Sequence, residues 1–179
     1  MTWLDRAIQW QRINMIQPYI REGVRILDIG CADGALFRHH PRARGLGIDP
    51  NLNSTVHGER YTLLKGSYPE DIHPDDRFDL ITMLAVVEHI SEEVHLKLAR
   101  DCRDWLNPGG KVLITVPSAR VDAILDVLKK LRLIHGMSLE QHHGFDVRNV
   151  PVSFGQAGLK LMRHQHFQFG LNNLFVFEK

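Results

Sequence analysis

The residues Asp28-Ile29-Gly30-Cys31-Ala32-Asp33-Gly34 link a short apolar run to Ala35-Leu36-Phe37, which opens a helical pattern. Gly30 and Gly34 let the backbone bend tightly and approach a ligand, and the amides that follow face an anionic group. The same glycines serve a plain turn equally well, and Asp33 is positioned to cap the helix instead. Gly47-Ile48-Asp49-Pro50 sets a second acid 21 positions after Asp28, at the end of the next apolar run. A carboxylate there accepts both hydroxyls of a ribose; standing alone it would read as a cap or turn former. Together the two features point to a cofactor with an adenosine-like half. A dinucleotide site asks for G-x-G-x-x-G, and the chain offers Gly30-x-Ala32-x-x-Ala35. Asp28 also repels a pyrophosphate, whereas it suits a cofactor carrying an ammonium and a sulfonium, as S-adenosylmethionine does.

These residues need elements to hold them. Apolar, β-branched runs at Val24 to Ile29, Gly45 to Ile48, Tyr61 to Leu64, Phe78 to Leu84 and Lys111 to Val116 are too short for stable helices and read as strands buried on both faces. Ser91 to Leu106 reads as a helix. Ser91 caps it, Glu92 and Glu93 suit its positive end, Val94, Leu98, Cys102, Trp105 and Leu106 recur at helical spacing, and Asn107-Pro108-Gly109-Gly110 stops it. Thr2 to Ile20 also reads as helix. Another is written in Val121, Ile124, Leu125, Leu128 and Leu131, with Lys129, Lys130 and Arg132 as a solvated basic face. Strands alternating with helices require parallel pairing through right-handed crossovers, hence an α/β, doubly wound, mostly parallel sheet of about seven strands. Leu159 to Phe169 and Leu174 to Phe177, joined only by Gly170 to Asn173, must be antiparallel neighbours, so the sheet ends in a hairpin.

The 179 residues suit one domain over 1–179, with an N-terminal helical segment over 1–22 and a substrate-side insertion over 136–153. With 44% apolar and 24% charged residues the chain is neither disordered nor fibrous. Lys and Arg total 22 against 21 Asp and Glu, a net charge of +1, which offers no field to collect nucleic acid or anionic lipid. No uncharged apolar run approaches the roughly 18 residues of a membrane span. Cys31 and Cys102 lack metal or redox spacing and read as reduced thiols. A cytoplasmic protein with a small-molecule partner is expected, of an oligomeric state that is not legible.

Val24-Arg25-Ile26-Leu27-Asp28-Ile29-Gly30-Cys31-Ala32-Asp33-Gly34 resembles the first motif of class I S-adenosylmethionine-dependent methyltransferases, and Gly47-Ile48-Asp49-Pro50 their second. Phe78-Asp79-Leu80-Ile81 followed by Val86-Val87-Glu88-His89-Ile90 is similar to the fourth-strand motif of the small-molecule branch. Leu106-Asn107-Pro108-Gly109-Gly110-Lys111 resembles the turn before the family's fifth strand, and Ala157-Gly158-Leu159 the turn before its sixth.

The resemblance implies a Rossmann-like fold and methyl transfer from S-adenosylmethionine to a small molecule, leaving S-adenosylhomocysteine. It implies that Gly30, Cys31 and Ala32, with Gly34 closing the turn, line the methionine portion and that Asp28 orders the loop or reaches the amine. Asp49, followed by Pro50, would hold the ribose, the segment around Ser67 and Tyr68 would pass the adenine, and Leu84 and Ala85 would touch the cofactor through backbone. The chain departs from the family pattern at Ala32, more often glycine, and at Ser67, commonly an acid.

His89 lies where a base would face the substrate, or it has a structural role beside Glu88. His142, His143, Phe145 and Arg148 fall where relatives place a substrate wall. His164 and His166, two apart on a strand, face one side, but with no third ligand identified no metal site is assigned. Two other readings stay open: an NAD(P)-dependent oxidoreductase using the same turn and acid, and a non-catalytic methyltransferase-like domain that binds cofactor or a partner.

Overall fold

The structure, a computed structural model, describes residues 3–73, 75–118 and 145–179. The helix expected over Val121 to Leu131, and His142 and His143 within the 136–153 segment, lie outside the described residues. In chain order the elements are α1 (Trp3–Ile16) with a 3₁₀ turn (Gln17–Tyr19), β1 (Arg25–Ile29), α2 (Ala35–His39), β2 (Arg44–Asp49), β3 (Val56–His57) and β4 (Tyr61–Lys65). They continue with β5 (Phe78–Leu84), a 3₁₀ turn (Val87–His89), α3 (Glu92–Trp105), β6 (Leu106–Pro117), α4 (Asn149–Gln156), β7 (Lys160–Phe167) and β8 (Asn172–Glu178). Among the described residues no helix is long and apolar enough to cross a membrane.

The strands form one sheet in the order β3-β4-β2-β1-β5-β6-β8-β7. Among the described residues that makes eight strands, against the expectation of about seven. The addition is β3, two exposed residues paired antiparallel with β4, too short to leave a periodic pattern. β4, β2, β1, β5 and β6 run parallel, and β6, β8 and β7 are antiparallel as the short link demands. From β1 the chain builds outward through β2 to β4, then returns to the other side of β1 to lay down β5 and β6. Strand order therefore reverses between β1 and β5, the position where open α/β sheets bind ligands at the strands' carboxyl ends.

Alternation along each strand feeds two cores. Leu27, Ile81, Val112, Ile114, Phe175 and Phe177 pack against Leu98, Cys102 and Trp105 of α3 and Val150 and Phe154 of α4, with Phe154 and Phe177 stacked at 5.0 Å. Ile26, Leu80, Leu113, Leu174 and Val176 face the opposite way, against Ile16 of α1 and Leu36 and Phe37 of α2. Each such side chain contributes roughly 1.5–3 kcal/mol on burial.

Three local expectations are revised. Asp33 does not cap α2: Gly34 is the cap residue, in a left-handed conformation, and the Asp33 carboxylate binds Arg38 at 2.6 Å. Ser91 is the cap residue of α3 but makes no side-chain cap bond. Instead Glu92 accepts from Asn149 Nδ2 at 2.9 Å and from the Asp146 amide, tying α3 to α4. Asn107 to Gly110, expected as the stop of α3 and the turn before the next strand, already belong to β6, which bulges against Phe78 to Leu80 while Asn107 Nδ2 donates to Asp79 Oδ1 at 2.8 Å.

Candidate active site

At the reversal point the loop after β1 turns on Gly30, whose φ is +72°. A Cβ on Gly30 would lie 2.4 Å from Cγ2 of Val86, the residue entering the 3₁₀ turn after β5. Loop and turn are therefore packed in direct contact, and only glycine fits between them. The Gly30 and Cys31 amides donate to Ile48 O, fixing the loop to the end of β2. Ala32 follows with φ +46°.

The two acids frame this loop. Asp28, 4% exposed, accepts from Thr82 Oγ1 on the adjacent β5 at 2.6 Å. Burial pushes its carboxyl up to about 7, partly offset by the Thr82 hydrogen bond, with Asp49 adding to the rise. Asp49, 7% exposed at the end of β2, accepts from the Ala32 amide at 2.9 Å and the Asn51 amide at 2.8 Å. Its first task is to hold the glycine loop; a carboxylate retains lone pairs beyond these two bonds. Pro50 is exposed beside it. Cys31 is buried, and burial together with Asp28 and Asp49 raises its thiol, so it acts here as packing. Two acids close together around a tight backbone loop suit a cationic ligand and oppose a diphosphate.

The remaining expected residues are distributed as follows. Ser67 is exposed in the turn after β4, where its amide donates to Asp71 Oδ2 at 2.8 Å. Tyr68 turns its hydroxyl toward Asp101 Oδ2, at 3.2 Å, and sets its ring edge-on to Trp105 at 5.5 Å. Leu84 and Ala85 are half-buried at the end of β5, Ala85 with φ +61° and its amide on Thr115 O. His89 is exposed on the 3₁₀ turn. Phe145 packs edge-on to His95 at 6.0 Å, and Arg148 pairs with Asp146 at 2.6 Å. His164 stacks on Phe175 at 4.2 Å, lies 4.9 Å from His166 and contacts Asn173 Oδ1 at 2.9 Å. Among the described residues no three His, Cys, Asp or Glu come together as a metal site.

Four further residues belong to this edge: Glu88, read in the sequence only within a motif and beside His89, and Arg12, His95 and Asp71, which sequence reasoning passed over. Arg12 on α1 donates to Asn172 Oδ1 at 3.3 Å and interacts electrostatically with Glu88. Glu88 itself is 4% exposed. Buried His95 holds the 3₁₀ turn through Nε2, at 3.2 Å from Val87 O and 2.9 Å from Ile90 O. Asp71 brings an acid to the turn where Ser67 stands. Only Glu88 carried a readable signal, its place in the Val86 to Ile90 motif; Arg12 is one of two arginines on a helix that also carries Asp5. Beside the loop, α1 and α2 border an open groove of about 800 Å³ lined by Arg6, Trp10, Ala32, Asp33 and Arg38 among others.

Comparison with known proteins agrees with this geometry. The methyltransferase domain family model matches residues 3–165. The ubiquinone biosynthesis O-methyltransferase of Bradyrhizobium sp. (strain ORS 278) is 32% identical over 144 residues, 64% of this chain and 56% of that protein. The enzyme of the same name from Nitrobacter winogradskyi is 37% identical over 97 residues, 49% of this chain and 36% of that protein. The chain thus spans about half the length, or less, of the curated relatives it matches. The structure of magnesium protoporphyrin IX methyltransferase from Synechocystis PCC 6803 with bound SAH superposes with a TM-score of 0.71 at 15% identity, covering 100% of this chain and 88% of that one. The chain belongs to the methyltransferase domain family, in its class I, S-adenosylmethionine-dependent form.

Proposed function

We propose that this domain binds S-adenosylmethionine at the reversal between β1 and β5 and methylates a hydroxyl of a small molecule. The observation that carries the reading is the pair of buried acids around the glycine loop, Asp28 against Thr82 and Asp49 holding the Ala32 amide. The residues fit the cofactor. Gly30, Cys31 and Ala32 offer backbone to its methionine portion, Asp28 an anion for the ammonium, and Asp49 its free lone pairs to the ribose. Backbone at Ser67 and Tyr68 edges the adenine, Gly34 closes the loop, and Leu84 and Ala85 pass beneath. Phe145, Arg148, His142 and His143 are the candidate acceptor wall. An oxygen acceptor is supported by the O-methyltransferase names of the relatives.

The cofactor supplies an activated methyl group, so the protein's work is alignment. Holding acceptor and methyl carbon in line accounts for roughly 7–11 kcal/mol of a barrier with no covalent enzyme intermediate. Calorimetric titration of the domain with S-adenosylhomocysteine, with NAD as the comparison, tests the reading. Saturable binding of the former alone is expected; binding of NAD alone selects an oxidoreductase, and binding of neither overturns the proposal.

A further inference from the structure

Resting on that methyltransferase reading, we propose that Glu88 takes the proton from the acceptor's hydroxyl, in a polar site under α1 shared with Arg12, Thr115 and Asn172.

The site is built from four elements. Glu88 sits on the 3₁₀ turn (Val87–His89) directly after β5, the strand that borders the reversal of strand order. It is 4% exposed; its own amide donates to the carboxylate, yet Oε2 has no hydrogen-bond partner among the described residues. From α1 the Arg12 guanidinium reaches Asn172 Oδ1, while its buried Nε is likewise without a partner. Thr115, fully buried, has an unpartnered hydroxyl as well. Thr115 pairs with Leu174, which faces α1, and Asn172 lies two residues along β8 on the same face, so Thr115, Asn172 and Arg12 share one side of the sheet.

Folded proteins satisfy nearly all buried polar groups, so three orphans at one ligand-binding edge call for an explanation. Two of them, Arg12 Nε–H and Thr115 O–H, donate, and one, Glu88 Oε2, accepts. A hydroxyl both donates and accepts, and it completes this set where an apolar ligand would leave it unsatisfied. His89, on the same turn, is exposed, so the buried member of the Glu-His pair is the one that meets a water-excluded acceptor.

The chemistry balances with the cofactor as sole co-reactant. The hydroxyl proton passes to Oε2 of ionised Glu88 as the oxygen bonds to the methyl carbon; the carbon–sulfur electron pair stays on sulfur, and Glu88 returns the proton to water after product leaves. Burial lifts the Glu88 carboxyl to about 7, with Arg12 opposing, which lets it both lose and gain a proton near neutrality. The charged or titratable groups around it are Arg12 from α1, His89 on its own turn and His95 from α3 beneath the turn's backbone. Arg12 is the positioning residue, acting through Glu88.

The test is carbon NMR of protein labelled at the glutamate carboxyls. The Glu88 resonance is the one missing from E88Q or, should that variant not fold, the one missing from E88D. Catechol added to the wild-type complex with S-adenosylhomocysteine should shift that resonance. R12M should move its titration midpoint to higher pH, since the guanidinium charge no longer favours the carboxylate. A resonance that catechol leaves unmoved overturns the proposal while the cofactor reading stands, and an unchanged midpoint in R12M removes Arg12 from its role. Failure of S-adenosylhomocysteine to bind wild-type protein overturns both readings.

Discussion

Ala32 is held at φ +46°, a region that costs a non-glycine residue roughly 1–2 kcal/mol, and the bond from its amide to Asp49 Oδ2 is what keeps it there. The family's preference for glycine at this position has its physical reason in that angle. Ala32→Gly removes the strain but gives the unfolded chain more freedom, which takes back about 0.4–1 kcal/mol. A net gain of about 0.5 kcal/mol is expected, read as a higher denaturant midpoint with an unchanged slope. Asp49→Ala acts in the opposite sense, because it releases the Ala32 and Asn51 amides together and withdraws the carboxylate from the proposed ribose site. Affinity for S-adenosylhomocysteine should fall by more than roughly 1.5 kcal/mol, at least about tenfold in Kd, by calorimetry. Unchanged affinity would remove Asp49 from the site.

The element that decides whether these residues form a cleft is α1, which carries Arg12 to the carboxyl edge and is anchored by Ile13 and Ile16, 2% and 0% exposed. Ile16→Ala leaves a cavity against Leu36, Leu174 and their neighbours and should cost about 2–4 kcal/mol by denaturant unfolding. It should also weaken S-adenosylhomocysteine binding, whereas Phe177→Ala in the opposite core should lower stability without a comparable effect on binding. Elements buried on both faces were legible as continuous apolar runs, and the four-residue link Gly170 to Asn173 was enough to set the final hairpin. What escaped was of two kinds. β3 is two residues long and α4 carries Pro151 and Gly155, so neither leaves a periodic signature. The acceptor-side groups Arg12, Glu88, Thr115 and Asn172 come from four distant segments, and only strand order brings them together. Glycines and acids around the first loop were legible because adjacent residues carry that part of the site.

For the molecule as a whole, the buried acid that suits a cationic cofactor opposes folding. Asp28 sits at about 7 in the folded chain, mainly through burial, against an ordinary value of 3.8 when unfolded. Folded protein therefore holds the proton across this window while the unfolded chain has released it, and stability from this group declines as pH rises from about 4 to about 7. Above 7 both states are ionised and the penalty is constant, on the order of 4 kcal/mol. Asp28→Asn keeps an oxygen that can accept from Thr82 and carries no charge, so it lacks this dependence. The stability difference between the variant and wild type should grow from near pH 4 to pH 7 and then level off, as followed by urea unfolding at a series of pH values. A flat difference would mean that Asp28 is ionised throughout in the folded state. Cofactor affinity should move against stability, since the neutral variant has no anion for the ammonium. Wild-type protein titrated with S-adenosylhomocysteine near pH 6 should release protons as binding draws Asp28 into its ionised form, which buffers of different ionisation enthalpy will reveal, and Asp28→Asn should abolish the release.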